Sequence, residues 1–190
     1  MANPDFPAPQ GLYHPVNEHD ACGVGFIAHI KGVKSHAVVE RGLQILDNLT
    51  HRGATGYDPL LGDGAGILVQ IPDAFMRRQA AAAGIELPQA EDYAVGMVFL
   101  PRNPDSRAAC ERLIAEFAQG ESQRLLGWRD VPVERSGLSK AALDVEPVIR
   151  QVFIGRGDNC ADGDAFERKL FVIRKQVEHA VTKARLDGGS

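Results

Sequence analysis

Asp20-Ala21-Cys22-Gly23-Val24-Gly25-Phe26-Ile27-Ala28-His29-Ile30 is the stretch on which the reading of this chain turns. A cysteine stands at the mouth of an apolar run punctuated by glycines, and the residues before it differ in kind from those after it. Residues 1–21 hold Pro4, Pro7, Pro9 and Pro15 with little periodicity, the composition of a leader rather than of a packed element. An ordinary frayed terminus looks the same. From residue 22 the pattern is that of a strand. Val24, Phe26 and Ala28 share one face and Gly25, Ile27 and His29 the other, so apolar groups lie on both sides, as in a layered fold. Gly23 and Gly25 weaken a strand unless a backbone or a ligand must approach closely. If residues 1–21 are removed, Cys22 becomes a new N-terminus bearing both a thiol and an α-amine, a nucleophile with its own base. The amine's ordinary pKa of about 8 suits it to take the thiol proton and pass it to a leaving group. The plain alternative is a small buried hydrophobe, the usual fate of a lone cysteine.

The rest of the chain is long enough to bury a core around that stretch. It has 190 residues, 44% of them hydrophobic and 24% charged, which is the composition of one globular domain. A net charge of −4 without a basic block argues against nucleic acid as a partner. No apolar run approaches the roughly 18 residues that span a bilayer, and the first residues lack the basic and apolar regions of a secretory signal. Three cysteines, at 22, 110 and 160, make neither a disulfide framework nor a metal pattern, so a reducing cytoplasm is the expected setting.

Periodicity places the other elements. Lys31-Gly32-Val33-Lys34 reads as a turn and Ser35 as the cap of an amphipathic helix over 36–50, with Gly42 accounted for by close packing against a sheet. Ile67 to Ile71 reads as a strand, and Asp73 as the cap of a short helix over 74–83 closed by Gly84. Residues 93–100 form an apolar strand ended by Pro101. A helix follows from Ser106 with Cys110, Leu113, Ile114 and Phe117 inward, stopped by Gly120. Leu125 to Val133 is extended, Pro147 to Ile154 is a further strand, and Asp164 with Glu167 makes a capping box for a last helix. Phe166, Leu170, Ile173, Val177 and Ala180 line its buried face. A mixed sheet with helices on both sides fits this order, and the pattern alone leaves a doubly wound sheet and an αββα sandwich both open.

Four constellations carry candidate chemistry. Arg52, in His51-Arg52-Gly53 just past the first helix, suits a two-pronged contact with a substrate carboxylate. Local sequence alone favours the plainer reading, a helix C-cap with Gly53 left-handed. Gly62-Asp63-Gly64-Ala65-Gly66 leads into a strand rather than a helix, which is the wrong context for a dinucleotide fingerprint. Asp158, Asp162 and Asp164 have the wrong spacing for a calcium loop. Cys110 falls on a helical stripe and Cys160 in a loop, and neither is assigned a role.

Taken together, Asp20 to Phe26, Leu49-Thr50-His51-Arg52-Gly53-Ala54, Asp58-Pro59 and Gly62 to Ile67 resemble the start of glutamate synthase large chains. Leu126-Gly127-Trp128-Arg129-Asp130-Val131-Pro132, Glu146-Pro147 with Gln151, and Phe166-Glu167-Arg168-Lys169-Leu170 extend the resemblance. It implies a class II glutamine amidotransferase domain of α+β class, an αββα four-layer sandwich of the N-terminal-nucleophile type, here truncated at its C-terminal side. Residues 1–21 would be the propeptide and residues 22–190 the N-terminal part of the domain. Cys22 would attack the side-chain amide of glutamine, with Arg52 and Gly53 binding substrate. The released ammonia would aminate 2-oxoglutarate to glutamate elsewhere in the enzyme. No cofactor is expected in this segment. FMN, an iron–sulfur cluster, and NADPH, NADH or ferredoxin as electron source are expected of the complete enzyme. The implied partners are glutamine, the remainder of the large chain and a small subunit. The resemblance puts the family's oxyanion hole beyond Ser190, so this chain alone is expected to have little glutaminase activity. Another class II amidotransferase, or a non-catalytic binding module on the same fold, remains the alternative.

Overall fold

The computed structural model describes residues 10–11, 23–49, 60 and 64–186. Contacts divide the chain into two compact units, Met1–Val69 with Gly137–Ala142, and Gln70–Ser136 with Leu143–Ser190.

In the first unit the described elements are an extended segment, a turn and one helix. Gly32, left-handed at φ +66, closes the turn, and its N–H donates to the His29 carbonyl at 2.8 Å. Helix α1 runs His36–Asn48. Ser35 precedes it in extended conformation but makes no side-chain capping bond, and Gly42 has open space where a Cβ would be. The expected packing of Gly42 against a sheet is therefore absent among the described residues. Residues 23–29 and 64–72 carry neither helix nor ladder pairing among the described residues, where alternation predicts strands over 22–30 and Ile67 to Ile71. Their apolar side chains bear this out, with Phe26 91% and Leu68 101% exposed. A period of two marks an extended backbone, but a strand also needs a partner, and no local pattern supplies one.

The second unit holds a three-stranded antiparallel sheet in the order β1-β3-β2, where the pattern indicates a mixed one. Strand β1 is Tyr93–Leu100, β2 Arg124–Asp130 and β3 Val148–Gly155. Strand β3 pairs with both neighbours, Gln151 lying opposite Met97 on one side and Arg129 on the other. Helices α2 (Asp73–Ala82), α3 (Pro104–Gly120), α4 (Lys140–Val145) and α5 (Gly163–Ala184) complete the described elements, and α4 has no counterpart in the sequence-based expectation.

Alternation along the strands feeds two cores. Val152 and Ile154 join Ile114 of α3, Phe166 of α5 and Cys160 on one face. Phe153 and Tyr93 join Ala80 of α2 and Ile85 on the other. Cys160 lies in the loop between β3 and α5, as expected, and its side chain is buried in this core. Polar groups tie the helices down. Tyr93 Oη donates to Asp73 Oδ1 at 2.9 Å, and Arg77 Nε donates to Asp73 Oδ2 at 3.0 Å. Burial, then the hydrogen bond to Asp73, pushes the Tyr93 phenol up to about 12. Arg150 bridges Glu111 of α3 (2.5 Å) and Asp130 of β2 (2.7 Å) while lying over the Trp128 ring.

The helix ends follow capping chemistry, though not always at the expected residue. Asn103 accepts from the N–H groups of Asp105 and Ser106, each at 2.9 Å, with Pro104 at the first turn of α3. Gly84, at φ +71, closes α2 as expected, and the Ile85 N–H reaches back to the Ala80 carbonyl. Helix α3 is closed instead by Ser122 at φ +60, with Gln123 N–H on the Ala118 carbonyl, so Gly120 is the last helical residue and not the stop. Asp162, rather than Asp164, caps α5 by accepting from the Ala165 N–H at 2.7 Å. Asp73 is the first residue of α2, its carboxylate spent on Tyr93 and Arg77 instead of on a cap.

At the end of α3, Glu121 accepts from Lys169 Nζ at 2.6 Å and Gln176 Nε2 at 3.3 Å, both on α5. The Lys169 hydrogen bond, opposed by burial and aided by the lysine's charge, holds its carboxyl below the usual 4.5. A carboxyl depressed by folding contributes stability above its unfolded pKa and loses it as pH falls through the folded value. Glu121→Gln is therefore expected to lower stability near neutral pH by about 0.5–1 kcal/mol, Lys169 being partly exposed. Thermal unfolding should show the gap between variant and parent closing as the pH drops below 4.5. A gap independent of pH would assign the loss to packing.

Candidate functional site

Cys22, Arg52 and Gly53 lie outside the described residues, as do residues 61–63 at the head of the glycine-rich turn. The described residues beside them define what they leave from. A Cβ placed on Gly25 would overlap Ile45 Cγ2, and one on Gly23 would come within 2.9 Å of Leu49 Cδ2. The segment after Cys22 thus lies directly on the last turns of α1. Close approach is the condition under which glycine is favoured in an extended segment. The body approaching is the chain's own helix.

Helix α1 ends at Asn48 with Leu49 as C-cap, its N–H bonded to the Ile45 and Leu46 carbonyls. Gly53 stands four residues beyond that cap, whereas a left-handed closing glycine stands one beyond it. Gly23, next to Cys22 in the sequence, thus packs on Leu49, the last described residue before Arg52. Gly64, at φ +85, opens the described part of the following stretch, and among the described residues nothing lies within 4 Å of a Cβ added to it or to Gly66.

The other two thiols are poor candidates for chemistry. Cys110 is 4% exposed and Cys160 8%. Among the described residues no group of His, Cys, Asp and Glu is arranged to hold a metal ion, and no helix is long and apolar enough to cross a membrane.

A polar cluster in the second unit has no local signal in the sequence. Arg129 of β2 donates through Nη1 to Gln151 Oε1 of β3 at 2.8 Å, and through Nη2 to Gln79 Oε1 of α2 at 2.7 Å. Its members are 50 and 22 positions apart from Arg129, and only the sheet register brings them together.

Residues 22–188 match the class-II glutamine amidotransferases. The chain is 49% identical over 179 residues to the NADPH glutamate synthase large chain of Bacillus subtilis, covering 94% of this chain and 12% of that one. It is 40% identical over 184 residues to the NADH glutamate synthase of Schizosaccharomyces pombe, covering 94% and 9%. It is 37% identical over 162 residues to ferredoxin-dependent glutamate synthase 2 of Synechocystis, covering 85% and 10%. The chain thus spans between 9 and 12% of the length of these relatives. With a family match over nearly its whole length and a glycine-bedded segment starting at the matched boundary, the chain belongs to the class-II glutamine amidotransferases.

Proposed function

We propose that this chain is the glutaminase part of a glutamate synthase and that Cys22 is its nucleophile. The observation that carries the reading is the family match, which begins at residue 22, and residues 1–21 are in this reading the propeptide. Removal of residues 1–21 gives Cys22 an α-amine that takes the thiol proton. The sulfur attacks the side-chain carbonyl carbon of glutamine, the C–N bond breaks, and ammonia leaves with the proton. The resulting thioester is hydrolysed by water, giving glutamate and restoring the thiol. Arg52 and Gly53 bind substrate in this reading. The position of the α1 cap at Leu49 supports a substrate role, because it takes Gly53 out of the helix-closing position.

The fold that accompanies this reading is the αββα sandwich of the N-terminal-nucleophile type, with which an antiparallel sheet carrying α3 and α5 on one face is compatible. The ammonia is consumed in the longer protein, aminating 2-oxoglutarate, with a small subunit among its partners and the cytoplasm as its setting. The relatives are named for NADPH, NADH or ferredoxin, which are the electron sources proposed here. This chain's residues do not fit an iron–sulfur cluster, two of its three cysteines being buried in the core, so FMN and the cluster are assigned to the rest of the enzyme.

Intact-mass measurement and labelling test the reading together. The full-length protein from its native host is expected to begin at Cys22. A glutamine-analogue electrophile is expected to label Cys22 and spare Cys110 and Cys160. An unlabelled Cys22 in a protein that keeps residues 1–21 would favour a non-catalytic binding module.

A further inference from the structure

We propose that Gln79, Arg129 and Gln151 form a binding site for a small carboxylate on the α2 side of the sheet. The site does not rest on the glutaminase reading. Its logic begins with arginine, which can only donate hydrogen bonds. Each glutamine must therefore turn its oxygen towards Arg129, and both do, at 2.8 and 2.7 Å. The orientation of both amides is fixed by this, and their NH2 groups are turned away from the guanidinium. Arg129 engages one lone pair of each oxygen, and the donors left without a partner among the described residues are Nε2 of Gln151, Nε2 of Gln79 and the remaining N–H bonds of Arg129.

The sheet register fixes what surrounds Gln151 on its face. Met97 lies across on β1, Arg129 across on β2, and Ile149 and Phe153 flank it along β3. None of these side chains offers an oxygen. Gln151 is 6% exposed, and among the described residues its Nε2 meets no acceptor. A buried amide donor left unmet opposes folding, and a ligand oxygen that accepts from it removes that cost. Arg129 is half-buried as well. Arg150 and Arg156, similarly placed, each face a carboxylate, at 2.5 and 2.6 Å, whereas Arg129 faces two neutral amides. A positive charge with unengaged N–H donors and, among the described residues, no carboxylate beside it favours a ligand with negative charge and two oxygens. Met97 and Phe99, 51% and 65% exposed on the same face, suit a short hydrocarbon stem attached to it.

Glutarate serves as the probe and phenylglyoxal labelling of Arg129 as the readout, followed by peptide mass spectrometry on the full-length protein. Arg129 is expected to be labelled in plain buffer, and labelling to slow saturably by about fivefold or more as glutarate fills the site. Chloride at matched ionic strength and uncharged glutaramide are expected to have no such effect. A glutarate effect no larger than that of chloride or glutaramide overturns the proposal. So does an Arg129 that resists labelling with no carboxylate added, since the protein would then fill the site itself. The conservative variant Gln151→Glu places a carboxylate beside Arg129, and is expected to protect it without glutarate and to remove the response to glutarate. Unchanged labelling and an unchanged response in that variant also overturn the proposal.

Discussion

Replacing Cys22 with serine in the full-length protein is expected to abolish glutamine-dependent glutamate synthesis while leaving synthesis from added ammonia largely intact. The proposed nucleophile is a thiol beside an α-amine. A free thiol ionises near pH 8.5 and the amine near pH 8, so the pair exchange a proton at little cost at about neutral pH. A serine hydroxyl is far less acidic, and the same amine cannot activate it comparably. Loss of an enzyme's nucleophile lowers turnover by roughly 10³-fold or more. Amination of 2-oxoglutarate by free ammonia bypasses the thioester, so the substitution leaves it untouched. The informative quantity is the ratio of the two rates, measured on one preparation. An equal fall in both would make Cys22 a structural residue, and an unchanged ratio would remove it from the reaction.

Much of the second unit is legible in the sequence because its elements are locally specified. Strand β1 falls at 93–100 as the apolar run and Pro101 predict, and Gly84 closes α2. The inward stripe of α5 runs through Phe166 and Ile173 into the core. The misses share a physical cause, which is that the deciding partner is remote. Ser122 closes α3 in a left-handed conformation that no glycine announces. The spacing of Asp164 and Glu167 points to Asp164 as the cap, but the helix starts from Asp162, two residues past core-buried Cys160. Residues 23–29 alternate as a strand does, but their glycines answer to Ile45 and Leu49 of α1 rather than to a neighbouring strand.

The candidate sites divide in the same way. Cys22, Arg52 and Gly53 are legible as motifs and lie outside the described residues, so the structure adds only their approaches from α1. Arg129 and Gln151 sit in stretches that the resemblance covers, yet their joining with Gln79 depends on antiparallel register and on α2 lying against the sheet. A periodic pattern reports which face a residue takes but not which residue stands opposite, and this cluster is built from opposites.

Gly157→Ala is expected to cost about 3–5 kcal/mol, combining an overpacking penalty with the loss of buried hydrogen bonds. Gly157 lies just after β3, where the chain passes against the corner between α3 and β2. A Cβ there would overlap the carbonyl oxygen of Ser122 and come within 3.0 Å of its carbonyl carbon. These are backbone atoms, so no rotamer change relieves the clash. The corner is also held by Gln123, 4% exposed, which accepts from the Gly157 N–H at 2.8 Å. Gln123 donates to the Glu121 carbonyl at 2.8 Å and to Asn159 Oδ1 at 3.0 Å. Moving the 157 backbone far enough to admit a methyl breaks this set and draws Cys160, whose N–H bonds the Gly157 carbonyl, out of the α3–α5 core. Against a total stability of about 5–15 kcal/mol, a loss of that size removes a large share of the folded population at elevated temperature. Urea unfolding measures it, with Gly163→Ala as control, because Gly163 opens α5 with nothing within 4 Å of an added Cβ. The control is expected to be neutral or slightly stabilising. Equal midpoints for the two variants would mean that the loop after β3 shifts without cost and that the Gln123 hydrogen bonds contribute little to holding the sheet against α3.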